Sequence, residues 1–242
     1  MLSAPSISYL GTGAAAPAGP AFSNVKLLIG ADGANNSTSF TDDSAAHRTL
    51  TVGGNAKVTT SNPKFGTGCL LLDGSGDYLS LAPSSGVWSP GAGQATGELW
   101  ARFATTGSLS AALMGQWGAS TSECSWFFYL SAGTLRLRFY DNTLTVRDCD
   151  AAWSVPDTNW HHLAWDRDGS GVVRTYVDGV MKGKTTLAQT MNNATGQFGV
   201  GTIPSVGLDL NGALDEIRVT IGEAVYATDA GFTPPTAAFA RS

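Results

Sequence analysis

The stretch Asn159–Asp168, NWHHLAWDRD, is followed within a few residues by Arg174–Gly183, RTYVDGVMKG. Apolar and polar residues alternate on both sides of the Asp178-Gly179 pair. An Asp-Gly dipeptide flanked by such alternation specifies a β-hairpin, because both residues tolerate the positive φ of a type I′ turn. This local signal commits the middle of the chain to antiparallel sheet.

The rest of the sequence repeats that pattern in shorter form. From Val25 onward, runs of β-branched and aromatic residues end in turn residues. They predict strands over Val25–Gly30, Thr49–Val52, Cys69–Leu72, Tyr78–Leu81, Gly97–Phe103, Ala111–Gln116, Trp126–Leu130, Thr134–Tyr140, Thr143–Arg147, Trp160–Asp166, Val172–Val177, Gln197–Gly201 and Ala213–Thr220. At most one helical turn is expected, around Gly222–Tyr226. Many short strands with no sustained helical period point to an all-β jelly-roll sandwich of two antiparallel sheets. The 30 glycines suit the tight turns such a fold requires. Residues 24–242 read as one domain. Residues 1–23 differ: 16 of the 23 are Ala, Gly, Pro or Ser and none is charged. Interrupted by Gly and Pro, this stretch lacks the apolar run of a secretory signal. It reads as an extended arm. Ordering it costs roughly 1–2 kcal/mol per residue in backbone entropy, so the arm is expected to take shape against neighbouring subunits.

Composition narrows the partners. With 14 Lys and Arg scattered against 19 Asp and Glu, the net charge is −5. No basic stripe exists to neutralise phosphates, so nucleic-acid binding is not expected. No stretch reaches the roughly 18 consecutive apolar residues of a membrane span. The three cysteines show no metal-ligand spacing, and the meander predicted around Cys124 and Cys149 separates them too far for a disulfide. Free thiols fit assembly in a reducing bacterial cytoplasm.

Four segments occur in a fixed order: FGTGCLLLDGSGDYLSL (Phe65 to Leu81), the hairpin above, LNGALDEIRVT (Leu210 to Thr220) and FTPPTAAF (Phe232 to Phe239). Together they resemble the laminin-G-like, concanavalin A-like lectin/glucanase domain of the type found in bacteriophage virion proteins, over about Val25 to Phe239. The resemblance implies a lectin-like sandwich. It also implies a place in a phage particle, as capsid decoration or tail component, with other virion proteins and copies of this chain as partners.

Candidate chemistry can be tested residue by residue. His161 and His162 are adjacent on a strand, so their side chains diverge and cannot share one ion; they read as structural. Glycoside hydrolysis needs two carboxylates across the scissile bond. Of the four glutamates, Glu98, Glu123, Glu216 and Glu223, none begins the ExDxxE-like run of the glucanase relatives, so a non-enzyme is expected. In LDEIRV, alternation puts Asp215 on one face with Ile217 and Val219. A carboxylate there needs hydrogen-bond donors or a cation. Backbone N–H donors are one reading. The other comes from the resemblance: many laminin-G-like domains hold a rim calcium, which Asp215 and Asp32 would ligate. The Asp-rich loops at 41–43 and 73–77 lack the spacing of an EF-hand and read as turns. Among the aromatics, Trp117 and Trp153 lie in loop-like surroundings and are the candidates for stacking on host surface polysaccharide. A phage structural protein is thus the first expectation and a glycan-binding adhesion module the second.

Overall fold

The computed structural model describes residues 18–203 and 205–242. Of the arm expected over residues 1–23, the first 17 residues therefore lie outside the described residues. Fifteen strands follow: β1 Val25–Ile29, β2 Thr51–Gly53, β3 Lys57–Thr59, β4 Cys69–Asp73, β5 Tyr78–Leu81, β6 Ala95–Phe103, β7 Ala111–Gln116, β8 Trp126–Ser131, β9 Thr134–Tyr140, β10 Val146–Ala152, β11 His161–Arg167, β12 Val172–Val177, β13 Val180–Thr186, β14 Phe198–Val200 and β15 Asn211–Ile221. They form two antiparallel sheets. The first runs β13-β12-β11-β6-β15-β4-β3, with β1 also paired to β15; the second runs β10-β9-β8-β7-β14-β5-β2. This is the jelly-roll sandwich the strand pattern predicts.

Alternation sorts each strand between interior and exterior. On β11, Leu163 and Trp165 enter the space between the sheets, while His162, Ala164 and Asp166 face outward. On β8, Trp126 and Phe128 point inward and Phe127 and Tyr129 outward. The interior is built on aromatic contacts: Trp126 meets Trp165 edge-on at 4.8 Å, and Trp88 lies 4.4 Å from Phe198. Trp126 Nε1 donates to the Trp88 carbonyl at 2.8 Å, so the indole is buried without losing its hydrogen bond. Each such large apolar side chain, fully buried, contributes roughly 1.5–3 kcal/mol.

Three departures from the sequence reading have physical causes. Strand β10 begins at Val146 and not at Thr143, because Asp141 Oδ1 accepts the N–H groups of Thr143 and Thr145 and holds 141–145 as a loop. Residues 222–226 form no helical turn. Their polar groups bind β6 and the residue before it: Gly222 N–H donates to the Gln94 carbonyl, Val225 N–H to Thr96 Oγ1, and the Tyr226 hydroxyl to Glu98. The third departure is a β-bulge in β15. Leu214, Ile217 and Val219 all enter the core, which strict alternation forbids. Between Asp215 and Arg218 the pairing with β6 slips, and Glu216 takes φ +47°. The inserted residue turns Asp215 off the apolar face assigned to it by alternation. On its other side, β15 pairs with β4 through Asn211–Leu214 and with β1 through Ile217–Thr220, so the bulge fills the junction between them.

After β15 the chain crosses the outer face of the first sheet. Tyr226 and Phe232 stack at 3.6 Å there, over Ala164 and Tyr176. Gly19, Pro20, Ala240 and Ser242 line one groove on this side, together with Arg218 and Tyr226.

Candidate functional site

Three clusters hold the chemistry-bearing side chains. The first is buried beneath the segment after β15. Glu98 pairs across the sheet with Ala164 on one side and Arg218 on the other. Its Oε1 accepts Arg218 Nε and Nη2 at 3.0 and 2.7 Å. Its Oε2 lies 3.0 Å from His162 Nε2 and accepts the Tyr226 hydroxyl. Burial pushes the Glu98 carboxyl up, but Arg218, then His162 and Tyr226, hold it down at about 2. His161 points the other way from its neighbour. Its Nδ1 lies 2.8 Å from Asp178 Oδ2 and its ring meets Trp153, so the two histidines diverge as expected. No local pattern marks the Glu98–His162–Arg218–Tyr226 cluster, because only the register of β6, β11 and β15 assembles it.

The second cluster contains the proposed calcium ligands. Asp215 Oδ2 accepts the N–H groups of Lys64 and Phe65 at 2.8 and 3.1 Å, and Oδ1 accepts Glu216 N–H at 2.8 Å. Asp32 Oδ1 accepts the N–H groups of Thr67 and Gly68 and the Thr67 hydroxyl. Both carboxylates brace one loop, residues 64–68, through N–H donors. Calcium requires six to eight oxygens. Among the described residues, no three His, Cys, Asp or Glu side chains converge as a metal site. The donor set does not fit the ion, and of the two readings the backbone N–H donors account for Asp215. Burial pushes its carboxyl up to about 7, against the pull of the Phe65 and Lys64 N–H groups.

The third cluster is on the outer face of the second sheet. Trp117 follows β7, half-buried against Phe127 at 5.9 Å and Tyr140 at 5.1 Å. It borders a groove of about 300 Å³ lined by Gly118, Glu123, Thr195, Gln197 and Ser205. Among the described residues, none pairs with the side chains of Thr195, Gln197 or Ser205. Such a surface offers an aromatic body and free hydrogen-bonding groups, the chemistry of a small-ligand site. Trp153 is elsewhere. Its end of the sheet holds Ser131, Thr134 and Ala152, whereas Trp117's end holds Gly115, Phe127 and Tyr140. Strands of six or seven residues separate these ends by about 20 Å. Trp153 packs edge-on to Phe103 and His161, and its backbone N–H donates to the Gly133 carbonyl. The two tryptophans cannot serve one site, and Trp117 is the one on the groove.

Each glutamate carboxylate already has a protein donor, and Glu123 alone of the four lines the groove. Glu98 is sealed in its cluster, Glu123 Oε2 accepts Ser120 N–H, Glu216 pairs with Arg241 and the Phe239 N–H, and Glu223 accepts Ala21 N–H and Asn24 Nδ2. No pair of glutamates spans the Trp117 groove, where Glu123 is the one charged lining residue. The cysteines Cys69, Cys124 and Cys149 are free and buried. Burial pushes the Cys69 and Cys149 thiols up to about 11 and 12, which leaves them unreactive. Among the described residues, no helix is long and apolar enough to cross a membrane.

Two antiparallel sheets with these motifs define a lectin-like sandwich. Residues 73–222 match the concanavalin A-like lectin/glucanases superfamily, and the chain belongs to it. Among curated proteins, none matches the sequence. Solved structures share the fold at low identity. The botulinum neurotoxin serotype G binding domain has a TM-score of 0.64 at 14% identity, over 86% of this chain and 50% of that one. The binding domain of Paraclostridial Mosquitocidal Protein 1 gives 0.62 at 13%, over 84% and 50%. The binding domain of botulinum neurotoxin DC in complex with SialylT gives 0.61 at 13%, over 83% and 48%. The chain spans about half the length of these structures.

Proposed function

We propose that this chain is a non-enzymatic recognition domain that binds glycan in the Trp117 groove. The observation that carries this reading is the half-buried indole beside three polar side chains that have no partner among the described residues, on an outer sheet face of a lectin-like sandwich. The binding role in the names of those structural neighbours lies in the same direction. The absence of an opposed glutamate pair in the groove supports binding without hydrolysis. A direct test is titration of a glycan panel against the full chain. Trp117→Ala should weaken binding about 10-fold or more, the scale of a stacked aromatic anchor. Trp153→Ala should leave affinity unchanged and lower the melting temperature. Full affinity in Trp117→Ala would reject this site.

A second role concerns where the domain is displayed. We propose that it is carried on a phage particle, on the head or tail, with residues 1–23 as the attachment. The uncharged Ala/Gly/Pro/Ser composition of that stretch favours this reading, as does a chain with only 14% charged residues. Removing residues 1–17 should leave a folded sandwich that no longer joins particles, read out by co-sedimentation. Undiminished incorporation would overturn it.

A further inference from the structure

The charge of the Trp117 groove restricts which sugars it can take. Glu123 is brought to the groove by close backbone approaches. A side chain at Gly118 would strike the Glu123 side chain at 2.4 Å, and one at Gly196 would strike the Glu123 carbonyl oxygen at 2.2 Å. The carboxylate is then fixed by the capping box of the short 3-10 turn Thr121–Glu123, with Ser120 N–H donating to Oε2 at 2.9 Å. That N–H also holds the carboxyl below its ordinary range, so it is ionised at neutral pH.

No cation compensates it. The groove lining contains no Lys or Arg, and among the described residues no basic side chain pairs with Glu123. Arg136 and Arg138 share the outer sheet face but are already engaged. Each makes a two-point contact with the aspartate directly opposite, Arg136 with Asp150 and Arg138 with Asp148. Beside the carboxylate stand Thr195, Gln197 and Ser205, which offer neutral donors and acceptors. Hydroxyl groups suit this set. A carboxylate on the ligand meets a like charge that no basic lining residue offsets.

We propose that the groove selects neutral sugar units and rejects sialic and uronic acids, with Glu123 as the specificity-determining residue. This rests on the glycan-binding reading of the same groove. It also separates this chain from the neurotoxin DC binding domain, whose structure is of a complex with SialylT.

The experiment is calorimetric titration of the full chain with neutral di- and trisaccharides and with the same sugars carrying a sialic or uronic acid. Neutral members should bind, and at low salt their acidic counterparts should bind about 10-fold more weakly, a modest repulsion for charges a few ångströms apart. Raising the salt to about 1 M, where the Debye length is near 3 Å, should narrow that gap. Glu123→Gln should narrow the ratio of neutral to acidic affinity at low salt, whatever its effect on neutral binding itself, and should keep the melting temperature. Equal or tighter binding of the acidic sugars by the unmodified chain overturns the selectivity but leaves glycan binding intact. A gap that persists in Glu123→Gln removes the role of this residue. Failure of every sugar to bind removes the glycan reading itself, and this inference with it.

Discussion

Asp215 shows how one inserted residue redirects chemistry. Alternation along LDEIRV puts its carboxylate among apolar neighbours, and the resemblance supplies a cation. The bulge at Glu216 instead turns it to the N–H groups of Lys64, Phe65 and Glu216. A glycine often marks such a bulge, but here a glutamate occupies the positive φ, so the sequence carries no flag. Glu216 is held there by Arg241 and the Phe239 N–H, contacts made far along the chain. Burial raises the Asp215 pKa to about 7, above the roughly 3.9 of an exposed aspartate. The folded state then retains the proton more readily than the unfolded one. Its contribution to stability is complete below about pH 4 and is lost as pH rises through about 7. Asp215→Asn should therefore lose less stability than the unmodified protein between pH 4 and 7. Urea midpoints at three pH values would show this, and parallel pH profiles would contradict it.

At the scale of elements, the β12–β13 hairpin was legible because its determinants are local. Val177 pairs with Val180 across Asp178 and Gly179, whose φ angles are +50° and +77°. Even so, the sequence hides part of what Gly179 does. A side chain there would meet the Phe232 carbonyl oxygen at 1.9 Å, in the segment that covers the first sheet. Gly179→Ala should thus cost more than the roughly 1 kcal/mol of a strained turn alone, because it also displaces that cover. Thermal unfolding beside a control at Gly86, where positive φ is open to solvent, would separate the two effects. The three-residue strand β3 was missed because its single apolar residue, Val58, shows no period. The late start of β10 was missed because Asp141 competes for the backbone through its side chain, a choice propensity does not reveal.

For the whole molecule, strand content and sandwich class could be read from alternation and turns, whereas the groove could not. It joins residues near positions 83, 118–123 and 195–205, which the β5-β14, β14-β7 and β7-β8 pairings bring together. Loop-like surroundings point equally to Trp117 and Trp153, because exposure and packing are indistinguishable without the neighbours. Gly19–Pro20, early in the described residues, and Ala240–Ser242 lie on the outer face of the first sheet, and the Trp117 groove lies on the outer face of the second. A sandwich interior about 10 Å thick stands between them. A support held against that first-sheet face leaves the groove open to the surrounding medium. A pull on a captured ligand then crosses the thickness of the sandwich, through inter-sheet contacts such as that of Trp126 with Trp165.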